Sequence, residues 1–258
     1  MRALRCAALA LLLAACSSSP PPRPTPQPNR APTPAELAAI PDAVPRYEPR
    51  SARGNPASYE VFGKRYHVLA TAEGYKERGV ASWYGPDFHT RATSSGEPYD
   101  MFGMTAAHKT LPIPSYVRVT NLANGRSIVV RVNDRGPFVA NRIIDLSYTA
   151  AHKLDMWRAG TAFVEVEAIT PGAPASAPPA AAPGRLYLQT GAFGVEENAQ
   201  ALARRLRDAG ITNVSVVPPG RGSSLHRVRI GPIVDVARFD MLAERVQGLG
   251  IETLLVTE

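Results

Sequence analysis

The sequence predicts a mainly β domain followed by a smaller α+β domain. Three observations carry this reading. Residues 57–170 hold several apolar runs rich in β-branched and aromatic residues, with few helical stretches. Residues 185–258 alternate strand-like and helix-like patterns. Two proline-rich stretches set these segments apart, and they hold most of the 25 prolines.

In the first module, Val80–Tyr84, Tyr116–Thr120, Ser127–Val132 and Ala162–Glu167 read as strands. Asn124-Gly125 lies between two of them and signals a hairpin. A helix is expected over Ser147–Leu154, with Ser147 as its N-cap. Many short strands with few helices point to a small barrel.

The tail reads Leu186–Thr190 strand, Glu196–Ala209 helix, Val214–Val217 and His226–Ile230 strands, Val236–Leu249 helix, Thr253–Thr257 strand. The first helix presents Ala199, Leu202, Leu206 and Ala209 on one face, and the second Phe239, Leu242, Val246 and Leu249. Gly210 and Gly250 close them. The order β-α-β-β-α-β is that of a ferredoxin-like split βαβ fold.

The connecting stretches differ in kind. Residues 20–49 contain 11 prolines in 30 positions, and such a segment is expected to be extended and unable to bury a core. Residues 171–184 hold five Pro and six Ala and no charge, so the two modules are expected to fold independently. At the N-terminus, Arg2 and Arg5 precede a short apolar run ending in Leu13-Ala14-Ala15-Cys16. This run resembles a bacterial lipobox, which implies cleavage before Cys16, a lipid on its thiol and a membrane anchor. Ser17 after the cysteine implies, by the same resemblance, the outer membrane. The expected division is 1–15 signal peptide, 16–56 lipidated cysteine and linker, 57–170 barrel, 171–184 linker, 185–258 tail domain.

Charge excludes some partners. The net +7 divides as +4 over 1–77 (10 Lys/Arg, 6 Asp/Glu), +2 over 78–170 (10, 8) and +1 over 171–258 (9, 8). No folded segment is strongly basic, which argues against nucleic acid. The tail's order also occurs in RNA-recognition modules, but His226–Ile230 carries no aromatic residue to stack on a base. His67, His89, His108 and His152 lack metal-ligand spacing, and both cysteines lie in the first 16 residues, so no metal or other cofactor is expected.

Gly79–Gly85, Gly96–Met101, Thr105–His108, Val117–Asn121, Val130–Phe138 and Arg142–Ser147 together closely resemble the rare lipoprotein A family over about 78–170. Family members often carry Gly and Asn where this chain reads His89–Gly96. The tail, with Gln189–Phe193, Asn198-Ala199 and Arg227–Pro232, resembles a SPOR domain. The resemblance implies a six-stranded double-psi β-barrel, shared with expansins, and a tail that binds glycan strands stripped of their stem peptides. It implies an endolytic lytic transglycosylase that leaves 1,6-anhydro ends at the division septum, with septal division proteins as possible partners. A non-catalytic expansin-like scaffold and a glycan hydrolase are the alternatives.

Cleaving a glycosidic bond calls for a carboxylic acid beside the leaving oxygen. The family's catalytic residues map onto Asp134, Glu97, Asp100 and His108. Asp134 is the first choice for acid/base, because it stands where a β run gives way to Asp134-Arg135-Gly136-Pro137. On spacing alone it is equally a turn former. Glu97 and Asp100 are expected to line the groove and raise Asp134 by like charge. His108 is read as a sugar donor, a carboxylate orienter or a structural residue. Trp83 and Tyr84 are candidates for stacking on sugar rings, or for the core. Arg135 is expected to grip a substrate carboxylate or brace Asp134. Asp145 either caps the following helix or binds substrate. Gln189, Phe193, Arg227 and Arg229 are expected on the glycan-facing sheet of the tail.

Overall fold

The computed structural model describes residues 32–172, 184–220 and 222–258. The signal peptide, Cys16 and residues 173–183 of the second linker lie outside the described residues. Residues Thr33–Glu258 form one compact unit.

The first module closes as a barrel with strand order β3-β7-β4-β6-β5-β8. These are β3 (Lys76–Trp83), β4 (Thr105–His108), β5 (Ser115–Asn121), β6 (Ser127–Asp134), β7 (Arg142–Leu146) and β8 (Thr161–Ile169). Two pairs, β3 with β7 and β4 with β6, run parallel, and the remaining pairs are antiparallel. Val117, Val119, Val130, Val132, Ile144 and Leu146 are fully buried in the core. Closure removes the exposed strand edges that an open sheet would leave. Helix α2 (Tyr148–Lys153) follows β7, and Ser147 caps it by accepting the Ala150 amide, as the sequence predicts. A hairpin not evident from periodicity, β1 (Ser58–Val61) and β2 (Lys64–His67), turns through Phe62 and Gly63, both at positive φ.

The tail is β9 (Leu186–Phe193), α3 (Glu196–Asp208), β10 (Val214–Val217), β11 (His226–Ile233), α4 (Val236–Gln247) and β12 (Leu254–Thr257). Its sheet order β10-β11-β9-β12 is that of a ferredoxin-like fold. Ala199, Ala203 and Leu206 of α3 and Phe239, Leu242, Ala243 and Val246 of α4 are buried against the sheet.

The structure departs from the expected organisation in two places. Residues 33–56 are not free linker. Helix α1 (Pro34–Ala39) is capped by a reciprocal Thr33–Glu36 box and buries Leu37. Asp42 accepts the Val129 amide at 2.9 Å and pairs with Lys153. Asn55 exchanges hydrogen bonds with both backbone groups of Ile113. Proline does not prevent such docking, because the contacts combine backbone groups and side-chain charges with the apolar Leu37, Ile40 and Ala43. The second departure is that the modules pack together. Phe163 of β8 meets Phe239 of α4 edge-on at 5.6 Å, and Arg142 forks onto Asp240 at 2.7 and 2.8 Å.

The strap over 33–56 is fastened most strongly at Glu48, whose two carboxylate oxygens accept from Arg131 Nε and Nη2 at 3.0 and 2.9 Å. Arg131 holds the Glu48 carboxyl down to about 2 from an ordinary 4.5. A carboxyl depressed in the fold contributes stability above its unfolded value and loses it as pH falls through the folded one. Glu48→Gln is therefore expected to cost about 1–3 kcal/mol near neutral pH. The difference from the parent should vanish as pH drops from 4.5 toward 2, measured by urea melts across that range.

Candidate active site

The acidic site is built where four strands meet in register. Ser82 of β3 stands opposite Asp145 of β7, Asp145 opposite Ala107 of β4, and Ala107 opposite Asp134 of β6. Two strand spacings separate the aspartates, about 10 Å between Cα atoms. Strand alternation alone would not align them, since Val130 and Val132 point into the core and Asp134 shares their parity. A one-residue bulge corrects this. Ala106 pairs with Val132 and Ala107 with Asp134, so Asn133 is extra. Such a bulge re-aims the next side chain, and it brings Asp134 onto the face of Asp145.

The two carboxyls meet different surroundings. Asp134 Oδ1 accepts three hydrogen bonds, from the Ser94 amide (2.8 Å), the Ser94 hydroxyl (2.6 Å) and the Arg135 amide (2.7 Å). Asp145 accepts a short hydrogen bond from the Ser82 hydroxyl. Burial pushes the Asp145 carboxyl above its usual range, against the pull of Ser82, Lys109 and Arg142, and the nearby Asp134 charge adds to the rise. Gly136 lies beside both, where a Cβ would make ordinary contacts with Ala107 at 3.7 Å and Asp145 Oδ2 at 4.0 Å. Its φ of +141° also suits glycine.

Tyr84 completes the group. Its hydroxyl is buried next to that of Thr105 and feels the charges of both aspartates. Its ring stacks on Tyr99 at 4.1 Å and meets Phe88 edge-on, the packed one of the two placements the sequence allowed. Trp83 likewise packs on Tyr148 and donates to the Trp157 carbonyl. Both aromatics are held by neighbouring rings.

Other expected residues are placed differently. Glu97 forks onto Arg131 at 2.8 and 3.0 Å and accepts from Asn133 at 3.0 Å. Arg131 holds its carboxyl below the usual range. Paired in this way, Glu97 is a poor source of like-charge repulsion on Asp134. Its loop nevertheless supplies Ser94. Asp100 is exposed and turns its own loop by accepting the Phe102 amide. Asp145 does not cap α2, since Ser147 does. His108 is 3% exposed. Its Nδ1 accepts the Thr110 and Leu111 amides at 3.2 and 3.0 Å, which leaves the proton on Nε2, 2.9 Å from the Tyr75 hydroxyl. Tyr75 in turn donates to Glu77. Burial, with Arg135 and Lys109 nearby, brings the imidazole down to about 3, so it is neutral at ordinary pH.

The Arg135 guanidinium does not hydrogen-bond the Asp134 carboxylate but is engaged by main-chain carbonyls. The guanidinium donates to the carbonyls of Gly54 (2.8 Å), His108 (3.1 Å) and Leu111 and to Asn55 (3.2 Å). Only its amide touches Asp134. In the tail, Gln189 and Arg229 face each other across β9 and β11, with Arg227 two residues along. Phe193 leaves this face. Val228 pairs with Gly191 and Arg229 with Gln189, so Thr190 is an extra residue, and Phe193 packs on the helix-side core. Ser82, Ser94 and Arg131 were missed from the sequence. For Arg131 a signal existed, a charge at an outward position within an apolar strand; the two serines carried none. Among the described residues no three His, Cys, Asp or Glu side chains converge to hold a metal.

Arg135→Lys keeps the charge but cannot span these carbonyls. It is expected to lower stability by about 1–3 kcal/mol while KM for glycan stays unchanged. Melts and steady-state kinetics on one preparation check both.

Two family models match the chain, that of a lytic transglycolase double-psi domain over residues 76–166 and that of the SPOR domain over 182–257. An endolytic peptidoglycan transglycosylase RlpA of Vibrio cholerae is 44% identical over 96% of this chain and 94% of its own. A protein of the same description from Pseudomonas aeruginosa is 39% identical over 95% and 93%. One from Neisseria meningitidis is 46% identical over 77% and 80%. With a closed double-psi barrel carrying the paired aspartates and a ferredoxin-like tail carrying Gln189 and two arginines, the chain belongs to the RlpA family of endolytic peptidoglycan transglycosylases.

Proposed function

We propose that the protein cleaves the bond between N-acetylmuramic acid and N-acetylglucosamine within peptide-stripped glycan strands, leaving 1,6-anhydro ends. The observation that carries this is the pair of unlike aspartates, one buried with its carboxyl raised above the usual range, the other held by three donors. Asp145 donates a proton to the leaving glycosidic oxygen. It then accepts the proton of the muramic C6 hydroxyl as that oxygen closes on C1. Atoms balance without water. Asp134 is the fixed anion that faces the positive charge growing on the sugar ring. Asp134 was the proton carrier expected from sequence. The burial of Asp145 favours this division of labour instead, while both residues remain essential. Cys16 is the proposed lipid attachment point, with an outer-membrane anchor and septal enrichment as the setting for this activity.

Asp134→Asn and Asp145→Asn are each expected to lower cleavage on the order of 100- to 10,000-fold with the fold intact. Mass spectrometry of wild-type products from amidase-treated sacculi should show ends one water lighter than hydrolysed ones. Reducing ends alone would make the protein a hydrolase, and binding without products a scaffold.

The roles of the aspartates separate by pH. Activity is expected to fall on the alkaline side as Asp145 loses its proton. Ser82 holds that carboxyl down, so Ser82→Ala should move the alkaline limb to higher pH. An unmoved limb would return the proton to Asp134.

A further inference from the structure

A second polar cleft, of about 570 Å³, lies between the barrel and the open face of the tail's sheet. Lys76 and Arg78 of β3 and Glu165 of β8 line one wall, and Gln189, Arg227 and Arg229 line the other. The walls are held at a fixed spacing. Arg142 forks onto Asp240, Gln247 donates to Asn141 at 2.9 Å, and Phe163 packs on Phe239.

The lining brings four cations, Lys76, Arg78, Arg227 and Arg229, onto one cleft with Glu77 and Glu165, while Glu167 also reaches Lys76 and Glu258 pairs with Arg229. Glu77 is engaged with the Tyr75 hydroxyl, and Glu165, 3% exposed, is shared by Lys76 at 2.8 Å and Arg78 at 2.7 Å. Arg227 has no carboxylate partner among the described residues and donates only to Ser223 and to the Leu225 carbonyl. Arg229 is mostly buried beside it and pairs with Glu258; burial first, and the neighbouring Arg227 charge second, hold its guanidinium below the usual range.

We propose that this cleft is one composite seat for an anionic glycan segment, to which the barrel's Lys76 and Arg78 contribute alongside Arg227 and Arg229. The proposal rests on the reading of the substrate as peptide-stripped glycan. Removing the stem peptide frees the lactyl carboxylate of each muramic residue, so a stripped strand is a regular polyanion. Guanidinium groups bind carboxylates through paired N–H donors, and Gln189 adds an amide for hydroxyl or acetamido oxygens. Stripped strands are thus recognised by charge gained as well as by bulk lost. Strand β3 runs from this cleft at Lys76–Arg78 to the acidic site at Ser82 and Tyr84. Six residue steps from Arg78 to Tyr84, just past the end of β3, place the two about 20 Å apart. A single strand of glycan held in the cleft is therefore presented to the acidic pair at a set distance.

The test uses the full chain and soluble amidase-stripped glycan chains. Acetylation footprinting should show Lys76 protected at saturating glycan. Full reactivity of Lys76 in the complex would overturn the composite seat. Chains whose lactyl carboxylates have been converted to amides should bind about tenfold more weakly or worse. Equal binding would overturn recognition by charge. Lys76→Gln leaves Arg78 on Glu165, so the fold is kept, and it should weaken binding several-fold. Wild-type affinity in that variant, with a loss in Arg227→Gln, would confine the site to the tail and overturn the proposal. These readouts do not depend on catalysis. Absence of anhydro products would overturn the proposed activity and leave the cleft standing.

Discussion

The acidic site depends on one extra residue in β6. Asn133 has no partner of its own in the ladder between Val132 and Asp134. Without it, Asp134 would continue the inward parity of Val130 and Val132 and would place a carboxylate in an aliphatic core, at a cost of several kcal/mol. The bulge turns that liability into a functional position. It sets Asp134 on the same face as Asp145, with only the methyl group of Ala107 between them in register. It also leaves Asn133 free to donate to Glu97 and to accept the Ser95 amide through its carbonyl. The loop that carries Ser94 is thereby fixed against the strand whose aspartate Ser94 supports.

Around this point the charged residues divide into a supporting set and a reacting set. Arg131 holds Glu48 on one side and Glu97 on the other, so one guanidinium ties both the N-terminal strap and the site loop to β6. Arg135 ties Gly54 and Asn55 of the strap to the carbonyls at the end of β4. The Glu77–Tyr75–His108 chain fills the space beneath. Each of these groups is paired within the protein. The proposed reacting set is small: Asp145 under the Ser82 hydroxyl and Asp134 under its three donors. Two identical side chains acquire different chemistry because one is desolvated and the other is hydrogen-bonded.

The tail is joined to the barrel by more than the chain that connects them. The Arg142–Asp240 fork and the Phe163–Phe239 contact give the interface both a directional and an apolar component. Val80 and Phe163 of the barrel belong to the same buried cluster as Leu188, Leu206 and Val228 of the tail. Glycan-binding groups on the tail and the acidic pair on the barrel consequently share one frame.

Much of the architecture was written in local pattern. The β-α-β-β-α-β order of the tail followed from apolar periodicity and closing glycines, and the barrel strands β3, β5, β6 and β8 from β-branched runs, because these signals are local and repeat along the chain. The acidic residues Asp134 and Asp145 were legible as candidates for the same reason: the turn and strand motifs around them are contiguous in sequence. What lay beyond the sequence was every relation set by non-local register. Whether Asp134 points inward depends on how β6 pairs with β4, and no residue of β6 alone records that bulge. Phe193 left the glycan-facing side through a similar slip at Thr190. Residues 33–56 carried the composition of a linker, yet they dock through Glu48, Asp42 and Asn55, polar residues whose partners lie 58 to 87 positions away. Hydrophobic patterning reports which face a residue seeks. It does not report which distant carbonyl or guanidinium will satisfy it, and that was decided only when the barrel closed.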